Sequence, residues 1–82
     1  MDVRRLVGRN LRGLRLDRGL SQEQLAHDAD ITPSYLSQIE SGKRNPTVTL
    51  LQVLATALRT PIVELFADEK PTTAKGLPRG RR

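Results

Sequence analysis

Residues 21–42 carry the run SQEQLAHDADITPSYLSQIESG, and no other stretch of the chain limits its folding as tightly. It reads as a pair of short helices joined by a tight turn. Ser21 and Gln24 form the S-x-x-Q pattern of a capping box, and Leu20 and Leu25 flank the cap as a hydrophobic staple. The leading helix is therefore expected over about residues 21–28, with Leu25, Ala26 and Ala29 turned inward. Asp30, in the turn Ala29-Asp30-Ile31, stands where a left-handed residue is wanted, a conformation aspartate tolerates better than most non-glycines. The following helix spans about residues 32–41, with Thr32 as N-cap and Pro33 at the first helical position, where its missing N–H costs nothing. Leu36 and Ile39 face inward, Tyr35 is partly buried, and Gly42 ends the helix.

The flanks supply further helices. Val3, Leu6, Val7, Leu11 and Leu14 recur at spacings of three and four, which predicts an amphipathic helix over residues 3–18. Arg5, Arg9 and Arg12 line another of its faces, and Gly19 stops it. Beyond the basic loop Lys43-Arg44-Asn45-Pro46, residues 47–58 form the most apolar helix, expected at the centre. A short fifth helix is predicted with Thr60 as cap, Pro61 at the first position, and Ile62, Leu65 and Phe66 apolar. From Lys70 onward no apolar period remains, so a disordered basic tail is expected over residues 68–82. The fold class is all-α: a compact five-helix bundle over residues 1–67.

Composition excludes several functions. The chain has no cysteine, so neither disulfides nor thiolate metal sites hold it, and its one histidine, His27, makes no zinc site alone. No cofactor or metal is expected. No apolar run approaches the roughly 20 residues of a membrane span, and MDVRRLVGRN has charges inside its apolar pattern, unlike a signal peptide. A cytoplasmic protein, bacterial or phage-encoded, is expected. There is no nucleophile–base pairing, glycine-rich phosphate loop or metal set, so the sequence argues against an enzyme. Net charge is +5, but residues 1–67 hold nine basic and seven acidic groups while residues 68–82 hold five and two, so over half the excess lies in the tail. Charge alone is a weak argument for nucleic acid. The stronger one is the helix at residues 32–41, apolar on one side and covered with small hydrogen-bonding groups on the other, as a helix must be to pack on a domain and enter the major groove.

The block from Gln22 to Ser41 resembles the helix-turn-helix of the phage-repressor/Cro (XRE-like) family at Gln22, Leu25, Ala26, Ala29, Ile31, Leu36 and Ile39. The flanks match as well: Arg15 with Gly19 to Gln22, Glu40 to Arg44, and the Pro-Thr at Pro46-Thr47. The resemblance covers roughly residues 5 to 66 and implies a lambda-repressor-like domain, dimeric on double-stranded DNA. Two positions depart from it: Asp30 and Arg59 stand where glycine is usual.

The resemblance assigns roles residue by residue. Gln22 reaches a phosphate and braces the recognition helix. Pro33, Ser34 and Gln38 match base-facing positions, with Ser37 beside them and Thr32 as a cap that touches phosphate. Gln38 has the groups to bond adenine at both N6 and N7. No Lys or Arg lies on this helix, so the arginine–guanine fork is absent from it. Lys43 and Arg44 are expected to grip the backbone, with Arg5, Arg9 or Arg12 as further phosphate contacts. Arg15 and Glu40 are expected to form a structural ion pair. Ile62, Leu65 and Phe66 are expected at a homodimer interface, since one helix reads too few base pairs for genomic specificity. The tail run Pro78-Arg79-Gly80-Arg81 faintly resembles an AT-hook core. Together these imply a sequence-specific transcriptional regulator, expected to be a repressor. The alternatives are a restriction–modification controller protein, or an antitoxin whose partner is a toxin protein. A tail without apolar anchors speaks against the last.

Overall fold

The computed structural model describes residues 2–68; the expectations for the basic tail and its Pro78–Arg81 run lie outside the described residues. The chain order is α1 (Val3–Asp17), α2 (Gln22–Ala29), α3 (Pro33–Glu40), α4 (Val48–Ala57) and a 3-10 turn (Ile62–Phe66). No strand occurs among the described residues. Each of the four α-helices starts on a side-chain cap. Asp2 accepts from the Arg4 N–H, and hydrogen bonds from the Arg4 side chain, together with that N–H, hold the Asp2 carboxyl below its ordinary pKa. Ser21 and Gln24 cap each other's backbone N–H at 3.0 and 2.8 Å, closing the capping box. Thr32 Oγ1 accepts from Tyr35 N–H, and Thr47 Oγ1 from Leu50 N–H, both at 3.0 Å.

The helix ends share one device. Leu20 N–H bonds Arg15 C=O, Ile31 bonds Ala26, Lys43 bonds Gln38 and Thr60 bonds Ala55, at 2.9–3.1 Å. In each case the residue just before the donor is left-handed: Gly19 (φ 69°), Asp30 (60°), Gly42 (80°) and Arg59 (57°). All four are Schellman closures, which satisfy carbonyls the last turn would leave unpaired. Asp30 and Arg59 therefore adopt a backbone to which glycine is suited, at a steric cost glycine does not have.

The fifth helix is a correction. Thr60 spends its N–H on the closure of α4, and its side chain makes no cap bond. Pro61 has ψ 145°, which is extended rather than helical, and the following five residues turn with i→i+3 bonds such as Glu64 N–H to Pro61 C=O. So short a segment folds as 3-10 more readily than as a full α-helix. The described architecture is four α-helices and a 3-10 turn, not five α-helices.

The core joins Val7 and Leu11 of α1, Leu25, Ala26 and Ala29 of α2, Leu36 and Ile39 of α3, Leu51, Leu54 and Ala55 of α4, and Leu58 and Leu65 beyond it. α3 packs between α1 and α2, while α4 packs on α2 and the 3-10 turn, and the turn rests on α1. Ile31 and Tyr35 pack half-buried against the core. Val3, placed on the inner face of α1 by its spacing, is instead 52% exposed. Two polar side chains pin the C-terminal half to α1. Asn10 Nδ2 donates to Leu65 C=O and Ala67 C=O at 3.0 and 2.9 Å, and Arg18 Nε donates to Leu58 C=O at 2.6 Å. Gly8 lets α1 touch the end of α3: a Cβ there would sit 2.5 Å from Ile39 O and 2.6 Å from Glu40 O.

Candidate nucleic-acid interface

α3 presents two unlike sides. Leu36, Ile39 and Glu40 are buried, whereas Thr32, Pro33, Ser34 and Ser37 are exposed. Gln38 is half-buried at the edge between them. The helix is held by a buried network at its C-terminal end. Glu40 Oε2 accepts from Arg15 Nε at 2.7 Å, and Glu40 Oε1 accepts from Arg15 Nη2 at 3.1 Å and from Gln22 Nε2 at 3.0 Å. Arg15 Nη1 donates onward to Leu20 C=O at 2.9 Å. The two charged side chains are 7% and 3% exposed, so this bidentate pair lies out of water. It ties α1, the loop before α2, the start of α2 and the end of α3 into one unit.

Gln22 is thus part of the pair's hydrogen bonding, a link that no local spacing announces because the partners are far apart in sequence. Its amide oxygen makes no hydrogen bond among the described residues, and its second N–H is uncommitted there, so the side chain can brace Glu40 and still face outward. Lys43 and Arg44 follow the left-handed turn at Gly42 and are exposed. The turn sends the chain back along α3. Arg44 Nε donates to Gln38 Oε1, and the guanidinium carbon lies 5.3 Å from the centre of the Tyr35 ring. Tyr35, Gln38 and Arg44 therefore form one stack beside the exposed face, an assembly that sequence reasoning misses. A half-buried aromatic at Tyr35 is the one local signal for it.

Of the three apolar residues expected at an interface, Leu65 is corrected. It is fully enclosed in the monomer core and has no surface to offer. A 3-10 turn repeats every three residues, so Ile62 and Leu65 share the inner side while Val63 and Phe66 share the outer. Val63 is 64% and Phe66 39% exposed. Phe66 borders an apolar cleft lined also by Val3, Val7, Val48 and Leu51. Among the described residues no cluster of three or more metal-ligating side chains occurs, and no helix is long and apolar enough to cross a membrane.

A family model described as Helix-turn-helix matches residues 11–65. The chain belongs to the helix-turn-helix family. It is 47% identical over 73 residues to an uncharacterised HTH-type transcriptional regulator of Sinorhizobium fredii, covering 87% of this chain and 95% of that one. It is 37% identical to Control protein C.SmaI of Serratia marcescens, covering 84% and 82%. Among solved structures it is similar to the restriction-modification controller protein C.AhdI of Aeromonas hydrophila (TM-score 0.75, 41% identity, 77% and 96% covered). It is similar to the clp gene regulator ClgR of C. glutamicum at the same TM-score, with 30% identity and 77% and 82% covered. In this helix-turn-helix chain α2 and α3 are the two helices on either side of the left-handed turn at Asp30. The Arg15–Glu40–Gln22 network is the brace between them.

Proposed function

We propose that this chain is a sequence-specific DNA-binding transcriptional regulator of repressor type, bound as a homodimer to a two-fold operator with α3 in the major groove. The observation that carries the reading is the division of α3. Its inner side is locked by Leu36, Ile39 and the buried Glu40 pair, and its outer side offers exposed Pro33, Ser34 and Ser37 with Gln38 at the rim. Small hydroxyls and a carboxamide there fit base edges in the major groove. Thr32, Gln22 and the exposed Lys43 and Arg44 surround that face and supply phosphate contacts, which position the helix on the duplex. The dimer surface is the outward side of the 3-10 turn, Val63 and Phe66, with Val48 and Val3 across the cleft; Ile62 supports it from beneath.

Binding of labelled genomic fragments at physiological salt tests the reading. A few fragments should bind far more tightly than the rest, and equal affinity for all of them would refute sequence specificity. A restriction–modification controller is the second reading. It is favoured by the similarity to C.SmaI and C.AhdI, which this chain covers over 82% and 96% of their lengths. A restriction enzyme gene beside this one, with the protein bound at its promoter, would select it; binding only at unrelated promoters would exclude it.

A further inference from the structure

We infer that Arg44 decides which base Gln38 reads: it holds the amide so that NH2 donors face the groove, and the position is read as guanine in preference to adenine. The inference rests on α3 being the reading helix.

A free glutamine amide can turn over and offer either its oxygen or its NH2, so it suits several base edges. Here the amide is oriented through its oxygen. Arg44 Nε donates to Gln38 Oε1, and a hydrogen bond from a charged donor is stronger than a neutral one. The guanidinium is in turn placed over Tyr35, within the range at which an aromatic face attracts a cation. Tyr35 is half-buried against the core, so the platform is fixed, and the planar group it carries fixes the amide. The Gln38 NH2 forms no hydrogen bond among the described residues. Guanine presents two acceptors, N7 and O6, in the major groove. Adenine presents an acceptor beside a donor, so reading it needs the oxygen as well as the NH2 turned to the groove, whereas Arg44 draws the oxygen to its own side. Arg44 is thus a positioning residue for recognition, in contrast to Lys43, which acts only as a charge.

Selection from a randomised duplex library at physiological salt, with wild type, Gln38→Ala, Arg44→Ala and Lys43→Ala, tests this. The position whose preference disappears in Gln38→Ala marks the base facing that residue. Wild type should prefer guanine over adenine there by about ten-fold or more. Arg44→Ala, a change at an exposed side chain, should reduce that ratio to below about three-fold while other positions stay as they were. Lys43→Ala should weaken binding and leave the ratio unchanged. A wild-type preference for adenine at that position, or a guanine preference that survives Arg44→Ala, would overturn the role of Arg44 and leave α3 as the reader. If no position responds to Gln38→Ala, the reading face and the role of Arg44 both fail.

Discussion

Glu40 is the residue on which most of this geometry depends. Its carboxylate takes three hydrogen bonds, two from Arg15 and one from Gln22, with almost no access to water. Glu40→Gln removes the charge and strands the Arg15 guanidinium, and breaking one partner of a buried pair costs about 3–5 kcal/mol. Urea unfolding should show that loss as a lower midpoint; an unchanged midpoint would mean that the pair does not hold the domain. Replacing both partners with apolar residues should cost far less, because no buried charge is then left alone. Arg59 carries a different prediction. At φ 57° an arginine is strained, and glycine there avoids the Cβ clash while losing more chain entropy on folding. The net gain from Arg59→Gly should be about 0.5–1 kcal/mol, a melting temperature higher by a few degrees. A lower melting temperature would show that the exposed Arg59 side chain makes up for its backbone. Asp30→Gly should give less, since aspartate tolerates the left-handed region better.

At the scale of elements, the helices are legible in the sequence because their signals are local. Ser21, Gln24, Thr32, Pro33 and Thr47 act within a few residues of where they stand, and the caps they form need only the first turn. Gly19, Asp30 and Gly42 mark three ends for the same reason. The last segment misleads because Thr60-Pro61 has the appearance of a helix start. The deciding fact is that Arg59 closes α4 in a left-handed turn and uses the Thr60 N–H, which depends on how α4 ends. The network at α3 is legible only in part. Arg15 and Glu40, and Gln22 as a brace, follow from the resemblance, but the bond of Gln22 to the Glu40 carboxylate, Asn10 and Arg18 holding distant carbonyls, and Arg44 returning to Gln38 are contacts between elements with no fixed spacing. Gly8 is invisible for the same reason, since its role is the space it leaves for the carbonyls of Ile39 and Glu40.

At the scale of the whole molecule, two sides of one short turn divide core from surface. Val63→Asp should convert a dimer to a monomer in sedimentation equilibrium with little change in monomer stability, and Phe66→Ser should do the same at some cost to the monomer, because the ring is partly covered by the cleft. Leu65→Ala should instead destabilise the fold, by about 2–5 kcal/mol for a buried leucine. A dimer that survives both outer substitutions would place the interface elsewhere. Charge is divided just as plainly. The run from Ser21 to Gly42 holds Glu23, Asp28, Asp30 and Glu40 and no Lys or Arg, so a reader built on α3 must be drawn to DNA by groups outside it. On the proposed reading, Lys43, Arg44 and the arginines of α1 supply that attraction, and the short polar groups of α3 supply discrimination.

The salt dependence of binding to a selected duplex and to its single-base variants separates these roles most directly. Lys43→Ala should weaken binding to all of them by a similar factor and flatten log K against log salt by about 0.9 for each phosphate no longer neutralised. Gln38→Ala should leave that slope intact and abolish the preference at one position per half-site. If Gln38→Ala weakened every sequence alike, or Lys43→Ala changed which base is preferred, α3 would not be the element that reads the operator.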